Sequence, residues 1–180
     1  MEKLSDAEVV ERVRAGATND YGELVRRHQD VIFRHARGMG FDYDTALDLV
    51  QDAFVKAFAL LGECREPARF RAWVFRITRN LCLDHLKNVR RLSIPMSDVP
   101  EVENLPGDAR DVELGSTLHA ALGILPESLR EAFLLKHHAN YTYDEIAELT
   151  DASPSAVKMR VHRARETLRD FLIKNGVHAA

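Results

Sequence analysis

Thr142-Tyr143-Asp144-Glu145-Ile146-Ala147-Glu148-Leu149, then Thr150-Asp151-Ala152, then Ser153-Pro154-Ser155-Ala156-Val157-Lys158-Met159-Arg160-Val161-His162-Arg163-Ala164-Arg165, is the stretch whose reading decides the fold. Thr142 and Glu145 form a capping box, in which each side chain serves an orphan backbone N–H of the other residue. Ser153 supplies a second N-cap, and Pro154 takes the first helical position, where its missing N–H costs nothing. A short helix, a tight turn and a longer basic helix follow. Ile146, Ala147 and Leu149 give the first helix an apolar side. Val157, Val161, Ala164, Leu168 and Leu172 recur at steps of three and four, so one stripe of the second helix faces a core. Lys158, Met159, His162, Arg163 and Arg165 lie off that stripe. A helix from Pro154 to Phe171 runs about 27 Å at ~1.5 Å per residue, enough to cross a DNA groove and leave its C-terminal half packed. This is a helix-turn-helix pattern, whose second helix enters a major groove. A charged surface helix on any all-α protein is the bland alternative.

Outward from this motif, helix signals repeat and strand signals are nearly absent. Ser5 with Glu8 makes another capping box and opens a helix ending near Gly16. A second helix is expected from Asp20 to Arg37, broken by Gly38 and Gly40. A third is expected from Asp44 to Leu61, with Ala46, Leu47, Val50, Phe54, Ala57, Phe58 and Leu61 on its buried side and Gly62 ending it. A fourth starts at Pro67 and reaches about Arg90, using Phe70, Trp73, Val74, Ile77, Leu81 and Leu86. From Leu92 to about Arg110 the pattern fails: Pro95, Pro100, Pro106 and Gly107 interrupt it among acidic and small polar residues, which reads as a linker. Helices resume at Val112–Leu125 and Pro126–His138. The fold class is therefore all-α, two small helical domains joined by a flexible linker, the C-terminal one a helix-turn-helix. Twenty extended residues reach at most ~70 Å, about 20 base pairs of duplex at ~3.4 Å each, so the two domains can hold two separated sites on one duplex.

The 180 residues carry a net charge of −3, which by itself does not point to nucleic acid. The distribution does. Arg65, Arg69, Arg71, Arg76, Arg79, Lys87, Arg90 and Arg91 stand against Glu66 and Asp84, and a second basic run spans Lys158 to Lys174. Asp98, Glu101, Glu103, Asp108, Asp111 and Glu113 lie between them. Two basic faces separated by an acidic connector fit two contacts with a polyanion. Two cysteines, Cys64 and Cys82, make no secreted disulfide framework. No apolar run approaches the ~20 residues that span a bilayer, and the N-terminus has no apolar signal region, so membrane insertion is not expected and the chain is expected to be cytoplasmic.

Two further segments align with this picture. Asp48-Leu49-Val50-Gln51-Asp52-Ala53-Phe54-Val55-Lys56-Ala57-Phe58 precedes Phe70-Arg71-Ala72-Trp73-Val74-Phe75-Arg76-Ile77-Thr78-Arg79-Asn80, and Leu125-Pro126-Glu127-Ser128-Leu129-Arg130-Glu131-Ala132-Phe133 precedes the helix-turn-helix. In order and spacing the chain resembles a bacterial RNA polymerase sigma factor of the sigma-70 family, extracytoplasmic-function group, over nearly its whole length. The resemblance implies region 2 at 1–92, a linker at 93–111 and region 4 at 112–180. It implies binding to the β′ and β subunits of core RNA polymerase, recognition of promoter DNA at −10 and −35 elements, and control by an anti-sigma factor. Synthesis would belong to the polymerase, so no enzyme activity, cofactor or metal is expected here.

Residue by residue, Asp48, Gln51 and Asp52 match the polar face that docks on a β′ coiled coil; Asp48 and Asp52 are one turn apart and can meet arginines of a partner. The Phe70–Arg91 helix matches the −10 reader, whose aromatic and cationic residues suit opened DNA; Arg71, Arg76, Arg79 and Asn80 are its candidate contacts. Trp73, at helical spacing with Phe70, Ile77 and Leu81, reads as core. Ser155, Ala156, Lys158, Met159, His162 and Arg163 match the positions facing the −35 element; Lys158 and Arg163 can donate to guanine or phosphate, and Met159 offers apolar contact. Related sequences often carry an aromatic where Cys64 stands, in a loop that helps hold a flipped-out −10 base. That departure leaves the base preference open. A lone thiol in a helical protein is usually inert.

The competing reading is a stand-alone helix-turn-helix transcriptional regulator with an N-terminal sensing or dimerising module. The aromatic and basic helix from Phe70 to Arg91 suits melted DNA better than a small ligand. Intrinsic catalysis finds no support: adjacent His137 and His138 point about 100° apart on a helix, Asp84-His85 lacks a third ligand, and no metal or phosphate motif occurs. His28, His35 and His119 read as surface residues.

Overall fold

The computed structural model describes residues 4–92 and 120–175. Among these, every regular element is helical: α1 Asp6–Arg14, α2 Tyr21–Gly38, α3 Tyr43–Ala59, α4 Phe70–Leu92, α5 Glu127–His137, α6 Tyr143–Leu149 and α7 Pro154–Lys174. Short 3-10 turns cover Thr18–Asp20, Leu61–Glu63 and Pro67–Arg69. Residues 120–123 are also helical. The expected linker, His119 and most of the expected Val112–Leu125 helix lie outside the described residues.

The expected caps are in place. Ser5 accepts from the Glu8 N–H while the Glu8 carboxylate accepts from the Ser5 N–H at 2.7 Å. Thr142 and Glu145 repeat the arrangement at α6. Ser153 accepts from the Ala156 N–H at 3.2 Å and starts α7 with Pro154 in the first turn.

The described residues form two compact units, one from residues 4–33 and 44–92, the other from 34–43 and 120–175. In the first, Val9, Val10 and Val13 of α1, Leu24 and Ile32 of α2, Leu49, Val50, Ala53, Phe54 and Ala57 of α3, and Phe70, Val74 and Phe75 of α4 are buried. Phe70 is central: its ring stands 6.4 Å from Tyr21, 5.7 Å from His28 and 5.9 Å from Trp73. The Tyr21 hydroxyl donates to the Phe54 carbonyl at 2.7 Å, and burial raises its pKa.

The side chains of the first unit depart from the sequence reading at several points. Leu47 and Phe58 were expected inside, but they are 37% and 43% exposed. The buried set Ala46, Leu49, Val50, Ala53, Phe54 and Ala57 fixes the inward phase of α3, and both residues fall to one side of it. Phe58 lies against Tyr21 at 4.9 Å and leaves its other side open. His28 is buried rather than at the surface, because its Nε2 meets the Asp6 carboxylate at 2.7 Å. His35, which belongs to the second unit, is also buried rather than at the surface.

In the second unit, α7 packs on α5 and α6. Val157, Val161, Ala164 and Leu168 form its buried stripe, meeting a core that includes Leu134, Leu135, Ile146 and Leu149. The turn between α6 and α7 is a Schellman-type stop: the Ala152 N–H donates to the Ala147 carbonyl at 3.0 Å, with Asp151 in the left-handed region at φ 50°.

Candidate nucleic-acid and partner interfaces

On α7 the core stripe leaves the opposite side to solvent. Ser155, Lys158, Met159, His162 and Arg163 are exposed and Ala156 is half-buried. At about 100° per residue, all six share an arc of about 160° facing away from the core. Met159 stands near its middle, 50% exposed. The same arc holds a residue that the sequence reading missed: Glu166, whose Oε1 lies 3.5 Å from His162 Nε2. It sits one turn beyond His162, so helical phase alone would have found it. The face therefore offers donors from Lys158 and Arg163 that suit base edges or phosphates, an apolar contact from Met159, and from Glu166 an acceptor that suits a base amino group but not a phosphate.

The four candidates on α4 do not share one face. Phe70, Val74, Phe75, Thr78 and Cys82 define the buried side. Arg76 and Asn80 point away from it and are exposed; Arg79 flanks them, half-buried. Arg71 lies about 140° from Arg76 and about 180° from Asn80 around the helix, within the buried arc, and its Nε is buried. Its charge helps hold the His28 imidazole in the neutral form. Trp73 goes the other way. It packs on Phe70 but is only half-buried, and its phase is about 20° from Asn80. The ring read as core thus borders the exposed face of Arg76, Asn80 and Lys87.

Asp48, Gln51 and Asp52 of α3 are exposed and fall within about 100° of arc. Val55 lies between them in phase and is 70% exposed, with Leu47 and Phe58 along the edge. Val55 thus stands at the centre of the face opposite the helix's own core, flanked by Asp48 and Asp52; a single exposed apolar residue is ordinary.

The loop between α3 and α4 places the Cys64 thiol inward, 1% exposed. Burial pushes that thiol up, against the pull of the neighbouring Arg14 guanidinium. Burial and the upward shift both lower the reactivity of a thiol so placed.

These surfaces define a helical DNA-binding protein with a helix-turn-helix in one unit and a basic, aromatic-bordered helix in the other. Comparison with known proteins is specific. Residues 24–92 match the Sigma-70 region 2 family and residues 116–168 match Sigma-70, region 4. The chain is 32% identical to the RNA polymerase sigma-H factor of Pseudomonas aeruginosa over 177 residues, covering 91% of each. It is 32% identical to the ECF RNA polymerase sigma-E factor of Escherichia coli K12 over 181 residues, covering 93% of this chain and 94% of the relative. It is 34% identical to the ECF RNA polymerase sigma factor SigE of Mycolicibacterium smegmatis over 172 residues, covering 91% of this chain but 66% of SigE. Among solved structures, CnrH in complex with the cytosolic domain of CnrY is similar at a TM-score of 0.73 and 29% identity, covering 94% of this chain and 97% of that one. The chain belongs to the extracytoplasmic-function group of sigma-70 family RNA polymerase sigma factors. As such it is a non-enzymatic initiation factor that directs RNA polymerase to promoters. No helix among the described residues is long and apolar enough to cross a membrane.

Proposed function

We propose that the work of this sigma factor is divided among the three surfaces, with region 2 at 1–92 and region 4 at 112–180. The outward face of α3, built on Asp48, Gln51 and Asp52 with Val55 at its centre, docks on core polymerase. The α4 face of Arg76, Arg79 and Asn80, bordered by Trp73, engages the opened −10 element; Arg71 supports that helix from its inner side. The α7 face of Ser155, Ala156, Lys158, Met159, His162 and Arg163 reads the −35 element in the major groove. The observation that carries this reading is the common outward arc of all six α7 residues opposite a continuous buried stripe. It is the geometry a recognition helix needs, with one side packed and the other free for base edges.

The chain works in the cytoplasm, where the polymerase is. CnrH was solved bound to the cytosolic domain of CnrY, so a similar protein has been captured with a protein partner; by its family, an anti-sigma factor is the expected inhibitor of this chain.

The test is reconstitution. Core polymerase plus this chain should start transcription from a genomic fragment library and protect DNA at −35 and −10. Asp48→Ala with Asp52→Ala should weaken retention on core polymerase while leaving the fold intact, and Arg163→Ala should remove protection at −35 first. Unchanged retention in the first variant, or unchanged protection in the second, would refute the corresponding assignment.

A further inference from the structure

The region 2 match begins at residue 24, so α1 lies ahead of it. Even so, α1 is tied into the first unit at both ends. At its start, Asp6 accepts from Arg27 Nη1 at 2.9 Å and meets His28 Nε2 at 2.7 Å. At its end, Arg14 reaches the loop ahead of α4. Its Nε and Nη2 donate to the Leu61 carbonyl at 3.2 and 2.8 Å, and Nη2 also donates to the Cys64 carbonyl at 2.5 Å. Its Nη1 donates to the Glu11 carboxylate at 2.7 Å, which fixes the plane of the guanidinium. One side chain thus closes both ends of the Leu61–Cys64 turn. The Leu61 and Cys64 side chains are buried, while Gly62, Glu63, Arg65 and Glu66 face solvent.

We propose that Arg14 is a positioning residue for promoter reading: it sets the conformation of the 61–66 loop and thereby the surface that Glu63 and Arg65 present to the opened −10 strand. The inference rests on the proposed assignment of α4 to the −10 element and extends it to the loop that leads into that helix. With Cys64 turned inward, no side chain at that position can cradle a base, so contact passes to the exposed polar residues and backbone of the loop. Their placement depends on which carbonyls turn inward, and Arg14 holds two of them. A lysine keeps the charge but lacks the planar fork that spans both acceptors. Helix α1 is then part of the promoter-reading apparatus without touching DNA.

The experiment uses holoenzyme reconstituted from core polymerase and the full chain, as wild type, Arg14→Ala and Arg14→Lys. Transcription is measured from promoters carrying each of the four bases at each −10 position. Arg14→Ala should lose about tenfold on the preferred −10 sequence, the order expected for lost charge-assisted hydrogen bonds. Its preference among −10 bases should flatten, while core retention and −35 protection hold. Arg14→Lys should restore activity only in part. An equal loss on every −10 variant indicates mere structural damage and overturns the proposal, as does no loss. A second readout needs no promoter: in a Cys82→Ala background, Arg14→Ala should raise the alkylation rate of Cys64 by iodoacetamide about tenfold, because the loop opens more often. An unchanged rate shows that Arg14 does not hold the loop. If wild-type holoenzyme has no −10 preference while the alkylation result is as expected, the −10 assignment has failed rather than the clamp, and the role in promoter reading falls with it.

Discussion

Helices α4 and α7 both turn a basic side outward, but they are built differently. On α7 a narrow stripe of Val157, Val161, Ala164 and Leu168 carries the packing, and what lies across from it faces solvent. On α4 the packed side is broad, running through Phe70, Val74, Phe75, Thr78 and Cys82, and half-buried Arg71 falls in phase with it. Residue type near a motif is a sound guide where the buried stripe is narrow. Where it is broad, the phase of the buried set decides, and a half-buried cation can lie on the packed side while an equally half-buried tryptophan borders the open one.

Four measurements would sharpen or break this contrast. The largest effect is expected for Phe70→Ala, which empties the centre of the first unit and should cost about 3–5 kcal/mol in denaturant unfolding. A much smaller cost would mean that α4 is not anchored as its broad side implies. Next comes the pair Arg163→Ala and Arg71→Ala. The first should lose about 1–3 kcal/mol of promoter binding if it reads a base, with unchanged thermal unfolding. The second should lower the unfolding temperature and leave the −10 base preference alone. An Arg71→Ala protein that melts normally and binds opened DNA poorly would erase the distinction drawn between the two arginines.

Third, Asp151→Val places a branched side chain in the left-handed turn before α7 and should cost about 1–2 kcal/mol, whereas Asp151→Gly should be tolerated. Thermal melts of the two variants check this.

The smallest effect concerns pH. Burial holds the His28 imidazole below its usual range; Asp6 opposes this, and the charges of Arg71 and Arg27 add to it. The unfolded chain takes up that proton at about pH 6.5, and the folded one only at lower pH. Stability from this group is therefore full above about pH 6.5 and declines as pH falls below it. Replacing His28 by Gln should flatten that part of a melting-temperature profile taken from about pH 7.5 to 5.5. A profile identical to wild type would show that His28 contributes nothing.

Much of the architecture was legible in the residues because its signals are local. Ser5 with Glu8, Thr142 with Glu145, and Ser153 with Pro154 mark helix starts within a four-residue window, and the α7 stripe declares its own direction. The misread positions have non-local causes. His28 is inside because Asp6, 22 residues earlier, meets it. Arg14 acts on backbone carbonyls 47 and 50 residues away, and a carbonyl leaves no trace in a sequence. Leu47 and Phe58 were assigned inward by their chemistry, although the spacing of Ala46, Leu49, Val50, Ala53, Phe54 and Ala57 already left them off the core. Asp151 stands where glycine or asparagine is the usual left-handed residue, so the turn was foreseen but not its conformation.

The outward strip of α3 has a kinetic consequence under the proposed docking on polymerase. Carboxylates attract at a distance, over about 10 Å at 0.1 M salt, so Asp48 and Asp52 govern how fast the factor loads. Val55 and Leu47 act only once surfaces touch, so they govern how long it stays. Raising ionic strength should therefore slow capture while barely changing residence time, and trimming Val55 to Ala should shorten residence while barely changing capture.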